Sequence, residues 1–271
     1  MDSTGHADPD ADPEFGAERL GSAGLQYGPR VRALRRRWRA VPGPPRCKMC
    51  YSPFGPPVGP ILRLIGKGRW PSSPKYCGGC FKDLYRTRAG AEVESTLLFA
   101  DIRGSTSLAE SMDALAFREL VDRFYQEATA ILIDHDAIVD KYVGDEVIAI
   151  FIPALTGTNH AREAVDSARE LLRATGHDTD APWAPLGIGV NTGRAYVGVV
   201  GTAEHLEFTA LGDAVNVTAR LASAAGPGEI LITDDAMRSS GGFSNSMLER
   251  RRLELRGKSA EIDVHVLTLA T

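Results

Sequence analysis

Two aspartates stand at the ends of apolar runs. Asp101 closes Ser95-Thr96-Leu97-Leu98-Phe99-Ala100, and Asp145 sits inside Asp140-Lys141-Tyr142-Val143-Gly144-Asp145-Glu146-Val147-Ile148-Ala149-Ile150-Phe151. Magnesium is satisfied by one or two carboxylates completed by phosphate oxygens and water, so such a pair can hold two hard cations against a triphosphate. Directly after Asp101 and Ile102, the turn Arg103-Gly104-Ser105-Thr106 leads into a helix N-terminus, whose free N–H groups can cradle a polyphosphate. Neither feature is specific alone, because strand-turn-helix units abound and an aspartate after Gly144 is also an ordinary turn residue. Downstream, Asn216 and Arg220 are four apart on a helical pattern and project from one face. An amide and a guanidinium aimed together can stabilise charge developing on ribose and phosphate; an exposed polar stripe is the plainer reading.

A second chemistry lies upstream. All four cysteines fall in two pairs, Cys47-Lys48-Met49-Cys50 and Cys77-Gly78-Gly79-Cys80. Each pair suits a tight turn offering two thiolates to a tetrahedral metal, with the glycines of the second permitting close backbone approach. A thioredoxin-like dithiol would account for one pair but not for both. The spacing predicts a four-cysteine metal ribbon over 46–86 holding one structural Zn2+, although four thiolates can also hold a single iron. A module of about 40 residues buries too little to fold unaided, so the metal supplies much of its folding free energy.

The elements that must position these groups follow from pattern. The chain has 271 residues, 43% hydrophobic and 24% charged, enough for one full-sized core plus a small module. Its formal net charge of −4 gives no global attraction to nucleic acid or anionic membrane, so any such contact has to be local. No run approaches the ~20 apolar residues of a membrane span. The acidic N-terminus is unlike a secretory signal, and a cytoplasmic location is expected. Residues 1–29 read as a disordered tail. The arginine-rich stretch within 30–45 reads as a solvated helix or linker in preference to a phosphate-binding or membrane-surface helix. From Glu92 strands alternate with helices. Thr96–Ala100 reads as a buried strand, and Ser107-Leu108-Ala109-Glu110 has capping-box form ahead of a helix through Phe117, Phe124 and Leu132. A hairpin over 137–152, a helix over 161–173 and a strand at 186–190 complete the β-α-β-β-α-β order of a ferredoxin-like α+β sheet. An extended hairpin over 196–210, a helix over 213–224 and closing strands at 230–233 and 264–269 follow.

Taken in order, these segments resemble the catalytic domain of class III nucleotide cyclases, over 92–271. The resemblance implies that Asp101 and Asp145, with Ile102 beside the first, bind two Mg2+ or Mn2+ per active site. It implies that Lys141 and Thr209 recognise the base and that Asn216 and Arg220 act on the transition state. Lys258 would contact the terminal phosphates, and Gly104, Ser105 and Thr106 would bind substrate at the phosphate turn. Ser105 departs from the phenylalanine commoner there. A lysine donor with a threonine that can donate or accept suits adenine, whereas guanylyl cyclases place a carboxylate at the lysine position. ATP is thus the expected substrate, converted to cyclic AMP and pyrophosphate; GTP or a pyrimidine nucleotide is the nearer alternative. The family's shared sites imply a head-to-tail homodimer. Diguanylate cyclases leave the Asn216–Arg220 helix unexplained, and a metal-ribbon adaptor with a non-catalytic cyclase domain is at odds with the intact residue set.

Overall fold

The computed structural model describes residues 29–70, 73–202, 204–242, 248–254 and 261–269. They form two compact units. One holds the described residues up to Val93 with Pro153–Leu155 and Tyr196–Leu211; the other holds Glu94–Ile152, Thr156–Ala195 and the described residues from Gly212 onward. The tail expected over 1–29 lies, apart from Pro29, outside the described residues.

The first unit opens with α1, Pro29–Arg39. A turn at 47–50 follows, then α2 (Gly59–Leu62) and a helical turn, Arg63–Lys67, which ends where Gly66 takes a left-handed φ of 78°. The short hairpin β1 (Arg69–Trp70) and β2 (Ser73–Cys77) leads directly into α3 (Gly78–Arg86). The second cysteine pair therefore rides on the first turn of a helix, where its glycines suggested a tight turn. The close approach expected of those glycines does occur, because a Cβ on Gly78 would stand 2.9 Å from the Gly66 carbonyl oxygen. Trp70 stacks on Phe81 at 5.3 Å between centroids, and Tyr76 tilts against the same ring at 5.8 Å. These rings form the small apolar layer that the unit can bury.

The chain continues as β3 (Gly90–Ile102), α4 (Ser105–Ser111), α5 (Ala114–Asp134), β4 (Ile138–Val143), β5 (Glu146–Phe151), α6 (Pro153–Thr156), α7 (His160–Ala174) and β6 (Leu186–Gly201). Then come β7 (Leu206–Leu211), α8 (Asp213–Ala224), β8 (Glu229–Thr233), α9 (Asp234–Ser239), β9 (Glu249–Leu253) and β10 (Ile262–Leu267). The sheet order is β4-β5-β3-β6-β8-β10-β9, with β7 paired to β6. Its first four strands reproduce the ferredoxin-like arrangement read from the sequence. β4 and β3 both run antiparallel to β5, while β8 is parallel to β6.

Alternation along the strands gives the second unit two apolar faces. Leu98, Ala100, Val147, Ala149, Ile188 and Ile230 join Phe124, Leu132, Leu171 and Leu172 of α5 and α7 in the main core. Leu231, Val264 and Val266 point the other way and meet Val217 and Leu221 of α8. One expectation needs correction. Ser107–Glu110 lies inside α4, and α5 is capped instead by Asp113, which accepts from the N–H groups of Leu115 and Ala116 at 3.0 and 2.9 Å. The chain turns extended at Met112, so a fresh N-terminus needs its own cap, and a short acidic side chain in the β region provides it.

In the first unit, β7 pairs with Tyr196–Gly201, and the Val199 N–H donates to the Ala89 carbonyl at 2.9 Å. In the second unit, α8 lies directly on β6 at a glycine. A Cβ on Gly189 would fall 2.6 Å from the Ala222 nitrogen and 2.7 Å from the Thr218 oxygen. Backbone atoms cannot step aside as a side-chain tip can. Gly189→Val should lower stability by about 2 kcal/mol, or roughly 4–8 °C in melting temperature. Gly193→Ala, whose nearest neighbour is the Ala214 Cβ at 3.1 Å, should cost much less in the same thermal scan.

Candidate active site

Asp101 stands near the end of β3 with its backbone opposite Glu146 of β5. Their neighbours Ala100, Ile102 and Val147 face the α5/α7 core, so by alternation Asp101 and Glu146 share the opposite face of the sheet. Asp145 precedes Glu146 on the β4–β5 turn, which Gly144 makes with φ 65°. The three acids crowd one another. Asp101 is pushed up to about 6, first by burial and then by the Asp145 charge, against the opposing pull of Arg103. Glu146 is pushed up to about 7 by burial and then by Asp101 and Asp145. One Asp145 oxygen, Oδ2, is buried with no hydrogen-bond partner among the described residues. Clustered carboxylates, two of them disfavoured in the charged form and the third with an orphaned oxygen, lack positive charge. An all-oxygen donor set of this kind fits a hard divalent cation.

Two further groups fix the cluster. Arg103 Nη1 donates to Asp101 Oδ2 at 2.8 Å and to the Ala222 carbonyl, near the end of α8, at 3.2 Å. The Asp145 turn is tied to α5 by Tyr125, whose hydroxyl donates to the Gly144 carbonyl. The Tyr125 ring stacks on Tyr142 at 4.2 Å, and the Tyr142 hydroxyl shares a hydrogen bond with Thr129. Burial and the nearby Asp145 charge push the Tyr125 hydroxyl pKa up, so it stays a donor.

Gly104 caps α4 in the left-handed region, φ 71°, and no side chain caps that end. The first N–H groups of α4, at Ser105 and Thr106, have no intrahelical acceptor. On α8, Ala214, Val217, Thr218 and Leu221 are buried. Asn216 and Arg220 therefore lie on the outward face, the first exposed and the second half-buried. Asn191 anchors the start of that helix, donating to the Ala214 carbonyl at 3.1 Å while accepting from Thr233 Oγ1 at 3.0 Å. Lys141 sits on β4 beside a bulge, since Val139 faces Ala149 and Lys141 faces Ile148, which leaves Asp140 extra. Thr209 belongs to the first unit, buried on β7 opposite Gly198. Lys258 lies outside the described residues.

Cys47, Cys50, Cys77 and Cys80 are all buried, and their sulfurs lie within 4.8 Å of one another. Cys50 and Cys77 sulfurs are 3.7 Å apart. Four thiolates at ~2.3 Å from a tetrahedral ion would stand about 3.8 Å apart, so the cluster fits such an ion. The Cys77 N–H points at Cys47 Sγ at 3.3 Å. Without a cation the crowded thiols split: hydrogen bonds with Cys47 lower Cys77 to about 7 and lower Cys50 as well, while hydrogen bonds with Cys50 and Cys47 respectively push Cys47 and Cys80 up.

Sequence reasoning missed Arg103, Glu146 and Tyr125. The first two neighbour Asp101 and Asp145, and strand alternation could have placed Glu146 beside Asp101. Tyr125 carries no local signal, being far from Gly144 in the chain.

The family model of the adenylate and guanylate cyclase catalytic domain matches residues 89–268. The chain belongs to that family. Among relatives of the cyclase domain, the terminal-differentiation specific adenylate cyclase of Dictyostelium discoideum is 30% identical over 178 residues, covering 63% of this chain and 8% of that protein. An adenylate cyclase of Anabaena cylindrica is 28% identical over 180 residues, 63% of this chain and 36% of its own. The chain thus spans about a third or less of these relatives' length. The crystal structure of the adenylyl cyclase CyaB from P. aeruginosa superposes with a TM-score of 0.55 at 27% identity, over 67% of this chain and 97% of that one. The guanylyl cyclase Cya2 does so with a TM-score of 0.58 at 23% identity, over 65% and 92%, a likeness of fold. The class III cyclase fold and the clustered cysteines expected from the sequence are both present. Among the described residues, no helix is long and apolar enough to cross a membrane.

The crowding predicts a measurable penalty. Asp101 and Glu146 have folded pKa values above their ordinary 3.8 and 4.5, so the metal-free fold prefers them protonated. Their destabilisation is absent at pH values below both ordinary pKa values, grows as pH rises through about 6 and 7, and is complete above. Asp145→Asn removes part of it. The metal-free variant should gain on the order of 1 kcal/mol, roughly 2–4 °C by thermal scan, at pH 8. That gain should vanish near pH 4.

Proposed function

We propose that the chain is an adenylyl cyclase, converting ATP to 3′,5′-cyclic AMP and pyrophosphate at sites shared between two copies. The observation that carries this reading is the carboxylate cluster at the β3 and β5 ends, with the orphaned Asp145 oxygen, in a domain of the cyclase family. Asp101, Asp145 and the backbone at Ile102 would hold two Mg2+ or Mn2+. When bound, these cations lower the pKa of the ribose 3′-hydroxyl and neutralise the triphosphate for in-line attack on the α-phosphorus.

The chain's own groups do the rest. Free N–H groups after Gly104, at Ser105 and Thr106, cradle phosphate oxygens, and Lys258 contacts the terminal phosphates. Arg220 bears on the transferring phosphoryl as charge accumulates, and Asn216 orients the ribose. Lys141 donates to a ring nitrogen and Thr209 Oγ1 accepts from the exocyclic amine, which favours adenine over guanine. The adenylate cyclase names of the relatives support the same choice. Arg103, by holding Asp101 and the Ala222 carbonyl together, keeps the carboxylate aligned before a cation arrives.

One chain carries both half-sets of the family's shared site. The partner copy would supply Lys141, Thr209, Asn216 and Arg220 to the first copy's aspartates, and the reverse, in a head-to-tail homodimer. The hairpin of β6 and β7 is the arm best suited to reach it. Asp101→Ala and Arg220→Ala proteins should each be inactive, and mixing them should restore up to about a quarter of wild-type turnover through one intact site in each mixed dimer. No recovery would defeat the shared site. In the same assay with Mn2+, ATP should be turned over in preference to GTP, CTP and UTP.

The four-cysteine cluster we assign to one structural Zn2+ per chain, on the donor set and its burial. Metal analysis of the purified protein should return about one zinc per chain. Cys50→Ser should lose that zinc and unfold the small unit, seen as loss of protease resistance before Val93.

A further inference from the structure

The first unit carries a feature that neither cyclase chemistry nor zinc binding uses. Ile61, Leu64 and Ile65 are 62%, 84% and 67% exposed, among the most exposed large apolar side chains of the described residues. Their spacing places them together on one side of α2 and its following turn, while Leu62 points inward and is buried. Gly66 then reverses the chain, leaving the three as a blunt apolar tip. Exposed Arg63 and Arg69, with half-buried Lys67, flank that tip. A cavity of about 770 Å³ runs along its side, lined by Phe54, Ile61, Arg63, Leu64 and Arg69.

The charge around it is extreme. Residues 29–93 hold fifteen Lys and Arg against two Asp and Glu, a net charge of +13; Glu204 and Glu207 bring the described unit to +11, and the acidic residues 1–28 bring it to +6, while the whole chain stands at −4. A tetrathiolate zinc centre would take two from that and leave the sign unchanged. The global balance conceals a strongly cationic unit whose exposed apolar tip is ringed by bases.

We propose that this tip docks the protein onto an anionic phospholipid bilayer, with Ile61, Leu64 and Ile65 entering the headgroup and acyl boundary and Arg63, Lys67 and Arg69 meeting lipid phosphates. A bilayer accepts aliphatic insertion and cationic contact side by side. Nucleic acid accounts for the bases only, because three aliphatic side chains offer no ring for a base to stack on. A second copy accounts for the apolar face only, because a two-fold contact would set the same basic rim against itself. The arginine-rich α1 then adds long-range attraction, the membrane-surface role that the sequence reading ranked second. The inference does not rest on the catalytic assignment.

The test uses the full zinc-loaded chain, sedimented with phosphatidylcholine vesicles with and without phosphatidylserine. The protein should pellet with the phosphatidylserine vesicles only, and added salt should weaken that binding. The triple variant Ile61→Ser/Leu64→Ser/Ile65→Ser, all at exposed positions, should bind them at least about tenfold more weakly while keeping its zinc content and circular dichroism. A Leu64→Trp variant should show blue-shifted emission with those vesicles and quenching by brominated acyl chains. No pelleting at low salt, or undiminished binding by the triple variant, would overturn the proposal. So would triple-variant sedimentation in the ultracentrifuge at half the wild-type mass, which would assign the tip to self-association. Tight binding of a single-stranded oligonucleotide by wild type, unaltered in the triple variant and without any vesicle binding, would assign the surface to nucleic acid.

Discussion

The second unit is organised around a cost, the crowding of three carboxylates where β3 meets β5. Strand register alone sets Asp101 against Glu146, and the glycine turn before Asp145 delivers a third acid to the same place. Burial and mutual repulsion raise Asp101 and Glu146 well above ordinary carboxylates. A fold keeps such an arrangement only if the surroundings over-determine it. The means are visible: Arg103 bonded to Asp101, Tyr125 bonded to the Gly144 carbonyl, and the Tyr125–Tyr142 stack behind the turn. The rigid sheet holds the charges in place, so that in the proposed reaction a cation and its phosphates would find them already assembled.

The same logic recurs in the small unit with softer donors. Four buried sulfurs are brought within 4.8 Å by a turn on one side and the first turn of α3 on the other. The two centres differ as their proposed ions require. Thiolates enclose a structural ion on all sides, whereas carboxylates on a sheet edge leave coordination open for substrate oxygens. Behind Asn216 and Arg220, α8 depends on having no side chain beneath it at Gly189, and on Asn191 reaching the Ala214 carbonyl. Asn216 and Arg220 are thus positioned by groups behind the helix that bears them.

Much of this was legible in the sequence. The buried strands stand out as continuous apolar runs, as at Leu97–Ala100, and α8 is marked to its observed limits by Val217 and Leu221 at helical spacing. The cysteine cluster was legible from spacing alone, since two Cys-x-x-Cys pairs leave few other uses. The start of α5 was not, because Ser107–Glu110 satisfies a capping pattern while Asp113 makes the bonds. The cationic first unit was obscured for a different reason: a whole-chain net charge averages over units that differ in sign.

The residue types and their order determined the family, the candidate ligands and the strand order, because those depend on local periodicity and on motifs that survive without neighbours. Only the tertiary structure decided that Glu146 belongs beside Asp101, that Arg103 joins Asp101 to the end of α8, and that Tyr125 steadies the Asp145 turn. It alone showed that Ile61, Leu64 and Ile65 stay in solvent while Leu62 goes inward. Pairings between residues distant in the chain and the burial of one side of a short helix are set by what packs against them, and no spacing within a single segment encodes that.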